Sequence, residues 1–144
     1  MNADDDQPME PSVAVALLTS FADAYNRHDV DAIMAHMTQG CEFLSYFGPD
    51  ACGERFVGFD KVRQRVAAGL ADFPDARWED ANHFVSGHRG VSEWTFRGTR
   101  RGTSELVERC GLDVFTFKNG KIHIKNTYQK WRQAADPRQQ VQRT

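Results

Sequence analysis

Apolar residues recur every fourth position from Val13 through Leu17, Phe21 and Tyr25, with Ala14, Leu18 and Ala22 beside them. That spacing lays one apolar stripe along an α-helix, and Ser12, just after Pro11, is its expected cap. Asn26-Arg27-His28 interrupts the stripe. Asp29 then caps a second helix, in which Val30, Ile33, Met34 and Met37 repeat at i, i+3, i+4 and i+7. Gly40 ends the pair. Residues 41–47, CEFLSYF, are short, aromatic and flanked by glycine, so they read as a strand. Alternation puts Phe43, Ser45 and Phe47 on one face and Leu44 and Tyr46 on the other. The segment GPDACGERFVG reads as a loop. A third helix carries Phe59, Val62, Val66, Leu70 and Phe73 on one side and stops at Pro74.

From residue 77 onward the pattern is strand-like, with segments at 77–86, 90–98, 105–118 and 121–131. GTRRGTS forms one turn. Asn119-Gly120 forms another, because both residues tolerate the positive φ of a type I′ hairpin. Three helices and one early strand thus precede a four-strand meander. A twisted sheet with an apolar concave face needs a lid, so the helices must cover it. The expected class is α+β, with a single domain over 12–132, a disordered arm over 1–11 and a loose polar tail over 133–144.

The two-residue turn sets the register expected for the last hairpin. Phe117 faces Ile122, Phe115 faces Ile124, Asp113 faces Asn126 and Gly111 faces Tyr128. A bulge would break this register, and curved sheets often have one. In that register Asp113, Asn126 and Tyr128 share the covered face with four apolar side chains. Two readings of Asp113 follow. It is either a structural carboxylate bonded to Asn126 or a tyrosine, or an acid or base on the floor of a pocket, kept protonated by burial. On strand 90–98, Trp94 and Phe96 point inward as core or pocket wall, while Glu93 points out.

Composition narrows the function classes. The 144 residues are 40% hydrophobic and 26% charged with a formal charge of −2. There is no dense basic block, which argues against strong nucleic-acid binding; Arg100 and Arg101 read as a solvated hairpin tip. Cys41, Cys52 and Cys110 are widely spaced and form no C-x-x-C pair. They suggest reduced thiols in a cytoplasmic protein rather than a disulfide framework or zinc site. The first dozen residues are acidic and lack an apolar core, so they are not expected to act as a signal peptide. No apolar run approaches the roughly 20 residues that span a membrane.

The stretch FADAYNRHDVDAIMAHMTQGCEFL resembles the opening helix pair and first strand of the nuclear-transport-factor-2-like superfamily, which includes SnoaL-like and ketosteroid-isomerase-like proteins. GFDKVRQRV resembles its third helix and GLDVFTFKNGKI its closing hairpin. The resemblance covers roughly residues 13–131. It implies a conical pocket between the helices and a strongly curved, mixed, mostly antiparallel sheet, and a homodimer packed through that sheet. The superfold hosts many activities, so residues carry the functional reading. By similarity to ketosteroid isomerases, the sheet Asp falls on Asp113. The helix Tyr falls on Phe21, with Tyr25 one turn away, and the first-strand base falls on Ser45, which is no base. By similarity to SnoaL-like polyketide cyclases, Asp113 is the acid/base. By similarity to limonene-epoxide-hydrolase-like enzymes, the last-strand carboxylate falls on Thr127. ANHFVSG resembles the strand of scytalone-dehydratase-like proteins that bears a catalytic His. That places an acid/base at His83, with Asn26 where the orienting Asp would stand.

These residues point to a cofactor-independent acid/base enzyme of isomerase, cyclase or dehydratase type. Asp113 and His83 are its catalytic candidates. The ligand candidates are Phe21, Tyr25, Phe43, Ser45, Tyr46, Trp94, Phe96, Arg109, Asn126 and Tyr128, around a small apolar or aromatic oxygenated ligand. No metal, cofactor, nucleic-acid or membrane partner is expected. The alternative is a non-catalytic ligand-binding or accessory dimer. Arg109 shares the parity of Asp113 and could contact it. If Arg109 or Lys125 points into the pocket, the ligand is expected to carry an anionic group.

Overall fold

The structure is a computed structural model that describes residues 6–132. The expected tail and the first five residues of the expected arm lie outside them. The elements are α1 (Pro11–Asn26), α2 (Val30–Ala35), β1 (Met37–Leu44), β2 (Arg55–Val57), α3 (Phe59–Asp72), β3 (Arg77–Ser86), β4 (Arg89–Thr99), β5 (Leu106–Lys118) and β6 (Lys121–Gln129). The strands form one open sheet in the order β2-β1-β6-β5-β4-β3. Only the β1–β6 pair is parallel. The class is therefore α+β with a mixed, mostly antiparallel sheet, as the pattern and resemblance led us to expect.

Three local readings need correction. Ser12 does not cap α1. Pro11 opens the helix, where its missing N–H costs nothing, and the capping position is Glu10, whose side chain makes no cap bond. Met37 belongs to β1, which starts earlier and ends earlier than expected. Phe47 therefore lies beyond the strand and is 67% exposed. The segment read wholly as loop contains β2, which pairs with β1 through Phe43 and Phe56. Three residues, two of them exposed, are too few to show a period. Asp29 caps α2 as expected, accepting from the Ala32 N–H at 3.0 Å. Within residues 6–10, Met9 packs on the core and the Asp6 carboxylate accepts from the Asn119 N–H at 3.1 Å.

The main core joins Leu18 and Phe21 of α1, Ile33 and Met34 of α2, Val62, Val66 and Leu70 of α3, and Phe115, Phe117 and Ile122 of the sheet. A second cluster, Ala76, Trp94, Phe96 and Val107, lies toward the far edge. The apolar periodicities thus identify the buried faces, except at Val13, which opens the expected α1 stripe and is 55% exposed.

The last hairpin decides what the pocket contains. Its turn has Asn119 at φ 52° and Gly120 at φ 75°, both left-handed as a type I′ turn demands. Lys118 pairs with Lys121, and Phe117 with Ile122 as expected. The register then shifts, so that Thr116 meets Ile124, Phe115 meets Lys125 and Asp113 meets Thr127. One extra residue in β6 reverses the facing of everything beyond it. Lys125 and Thr127 are buried beside Asp113, whereas Tyr128 is 54% exposed. The expected Asp113–Asn126 and Gly111–Tyr128 pairings are therefore replaced.

Candidate functional site

Four polar residues lie side by side across the concave face. His83 of β3 pairs with Ser92 of β4, Ser92 with Asp113 of β5, and Asp113 with Thr127 of β6. Ser92, Asp113 and Thr127 are buried, and His83 is partly buried. Register alone brings together residues from four strands.

At the Asp113 end, both carboxylate oxygens are engaged. The Trp94 indole Nε1–H donates to Oδ2 at 2.9 Å, and the Thr127 hydroxyl donates to Oδ1 at 2.5 Å. The Lys125 ammonium lies 3.0 Å from Oδ1 and donates to the Thr127 oxygen at 2.9 Å. Both members of this ion pair are less than a tenth exposed. Lys125 also sits 4.4 Å from the Phe43 ring centre and 5.3 Å from that of Tyr25, where aromatic faces favour a cation. Burial pushes the Lys125 ammonium toward losing its proton, but Asp113 and Tyr25 more than offset this, so its pKa stands above the ordinary value. Burial raises the Tyr25 phenol, against the opposing pull of Lys125. Gly111 makes the arrangement possible: a Cβ there would lie 2.6 Å from the Trp94 ring, so only glycine lets the indole cross β5 to reach Asp113.

The His83 end is less constrained. Its Nδ1 lies 2.7 Å from the Ser92 hydroxyl, and among the described residues its Nε2 has no hydrogen-bond partner. Burial lowers the His83 pKa below 6.5, so the ring is neutral at neutral pH. Asn26 does not orient it. The Asn26 amide instead clamps the backbone of Trp78, donating to its carbonyl at 3.0 Å and accepting from its N–H at 2.8 Å. This clamp adjoins the β3 register shift between Glu79 and Asn82, where Asp80 adopts φ 58°.

Two cavities share Tyr25, Trp78, Trp94 and Lys125 as walls. A narrow one of about 30 Å³ is also lined by Phe21, His83, Ser92 and Asp113. That is room for roughly one water-sized group. A wider one of about 160 Å³ lies against Phe43, Tyr46, Phe96, Arg109 and Thr127, and α3 closes it with Arg65, Val66 and Leu70.

The structure therefore gathers Asp113, His83, Phe21, Tyr25, Phe43, Tyr46, Trp94, Phe96 and Arg109 around these cavities. It places three other candidates elsewhere. Ser45 is buried but lines neither cavity; its hydroxyl accepts from the Phe47 N–H at 3.4 Å. The register shift carries Asn126 and Tyr128 to the other face, where the Asn126 amide donates to the Tyr128 hydroxyl at 3.1 Å. Arg109 does not touch Asp113 but stacks 4.1 Å from the Trp131 ring centre. Lys125 supplies the cation instead. Sequence reasoning passed over Ser92, Trp78 and Arg65 as site residues. Parity with Trp94 was the available signal for Ser92; nothing local marked the other two. Among the described residues, no group of three His, Cys, Asp or Glu side chains is placed to hold a metal ion.

Solved structures share this architecture. A candidate polyketide cyclase of Xanthomonas campestris superposes with a TM-score of 0.73 at 19% identity, over 82% of this chain and 90% of that one. A protein of Mesorhizobium loti with the nuclear-transport-factor-2-like fold and unknown function gives 0.70 at 21% identity, over 86% and 97%. A Catenulispora acidiphila protein with a ketosteroid-isomerase-like fold, in complex with trimethylamine, gives 0.68 at 13% identity, over 78% and 83%. No curated protein matches the sequence significantly. Residues 18–123 match the family model described as the SnoaL-like domain, and with this fold the chain belongs to the SnoaL-like family.

Proposed function

We propose that the chain binds a small, mainly apolar, oxygenated compound and moves a proton on it by side-chain acid/base chemistry, as an isomerase, cyclase or dehydratase does. One observation carries this reading: His83, neutral, partly buried and with an Nε2 that has no hydrogen-bond partner among the described residues, lines the same narrow cavity as Lys125. His83 Nε2 takes a proton from the carbon beside a carbonyl. The negative charge then develops on the carbonyl oxygen, where the Lys125 ammonium and the Tyr25 hydroxyl stabilise it. Asp113 holds Lys125 charged and aimed, so its role is positioning rather than proton transfer. The apolar body of the ligand rests in the wider cavity. The name of the Xanthomonas campestris structure supports this class of chemistry.

Proton exchange at the α-carbon of 2-tetralone in D2O, followed by NMR, tests the reading. Exchange well above the buffer rate, lost in His83→Gln, is the expected result. Exchange at the buffer rate with the ketone still bound would establish a second reading, a non-catalytic binder. The full engagement of Asp113 favours that alternative. We also propose a homodimer through the sheet face that exposes Phe84 and Tyr128. Sedimentation at micromolar concentration should give twice the chain mass, and a monomer there would remove the proposal.

A further inference from the structure

We infer that the wider cavity is an anion subsite and that the ligand carries a carboxylate some distance from its reacting carbonyl. The inference rests on the ligand-binding reading above and names the ligand's second functional group.

Four cationic side chains line this cavity: Arg65, Arg100, Arg109 and Lys125. Lys125 is matched by Asp113 and Arg100 by Glu105, each at 3.0 Å. Asp72 is the carboxylate in the lining, and it faces Arg101 at 3.8 Å. Among the described residues, Arg65 and Arg109 have no carboxylate partner. Both are partly buried, so water screens them less than it would at an open surface. Arg65 approaches from α3, and its charge acts on both Tyr25 and Lys125. Arg109 approaches from β5, held by stacking on Trp131 and by a 3.5 Å contact from its Nη1 to Gln129 Oε1. Two arginines from different elements of one cavity wall, neither matched by a carboxylate, suit a planar carboxylate that accepts paired N–H bonds. The remaining walls are Phe43, Phe96, Trp78 and Trp94, which suit an apolar or aromatic linker.

The test uses two probes of nearly equal shape, 3-phenylpropionate and 3-phenylpropionamide, titrated calorimetrically into the full chain. The carboxylate should bind at least tenfold more tightly. Arg65→Met and Arg109→Met should each remove most of that preference by weakening the carboxylate far more than the amide, while Arg65→Lys and Arg109→Lys retain part of it. Unchanged melting temperatures would show that the variants fold. Equal binding of the two probes would overturn the anion subsite and leave the pocket reading standing. Binding of neither would overturn both.

Discussion

Asp113 and His83 occupy the same row of the sheet, two strands apart, yet their polar atoms are used differently. Asp113 has both oxygens bonded and a lysine beside it. His83 has one nitrogen bonded and, among the described residues, one without a hydrogen-bond partner, and the residue lines the narrow cavity. A buried charge must be compensated to exist at all, so Asp113, Thr127 and Trp94 have little freedom left for chemistry, and Lys125 is held charged, able to stabilise an anion but not to exchange a proton. A partly buried neutral imidazole carries no such obligation. The contrast separates the group that organises the site from the group able to exchange a proton.

The largest test attacks the organised end. Asp113→Asn strands the Lys125 charge and should cost about 3–5 kcal/mol in urea denaturation. Lys125→Met should do comparable harm by stranding the carboxylate. The double variant should lose far less than the sum of the two, because it buries no unpaired charge. Additive losses would show that the two are not coupled.

At the other end the expected pattern is reversed. His83→Gln should slow ketone α-proton exchange by about 10²–10⁴-fold while changing stability by less than about 1 kcal/mol. A large stability loss with exchange intact would make His83 structural and collapse the distinction. Gly111→Ala tests how the Asp113 end is assembled. Its methyl collides with the Trp94 ring, so a loss of about 1–3 kcal/mol and an altered tryptophan emission are expected; an unchanged spectrum would show that the indole does not depend on this gap.

The finest test is pH. Exchange requires neutral His83, whose pKa is lowered from 6.5 by burial, so the acid limb of the rate profile should fall below 6.5. A limb above 6.5 would assign it to another group. Stability should respond oppositely at the alkaline end. The folded-state pKa values of Lys125 and Tyr25 lie above 10.5 and 10.0. Their contribution is therefore complete below these values and is lost as pH rises through the higher folded-state ones. Chemical denaturation should show no loss from these groups up to about pH 10 and a decline as pH is raised further, and the decline should shrink in Lys125→Met.

Much of this architecture is written locally. The i, i+3, i+4 stripes of α1 and α3, the Asp29 cap, Pro74 and the Asn119-Gly120 turn each act over a few residues, so the sequence alone determined the helices, the four long strands and the apolar lid. Trp94 and Phe96 were legible as inward because β4 alternates without interruption, and Asp113 was legible because the polar residue breaks an apolar face. The pairing partners were not legible. A one-residue bulge in β6 has no compositional mark, yet it exchanged Asn126 and Tyr128 for Lys125 and Thr127. Asn26 and Trp78, fifty-two residues apart, meet only because α1 packs on β3. Local propensity could place an acid in a pocket; only the tertiary register decided that it faces a lysine, because strand pairing is a long-range choice made by whichever face can be buried.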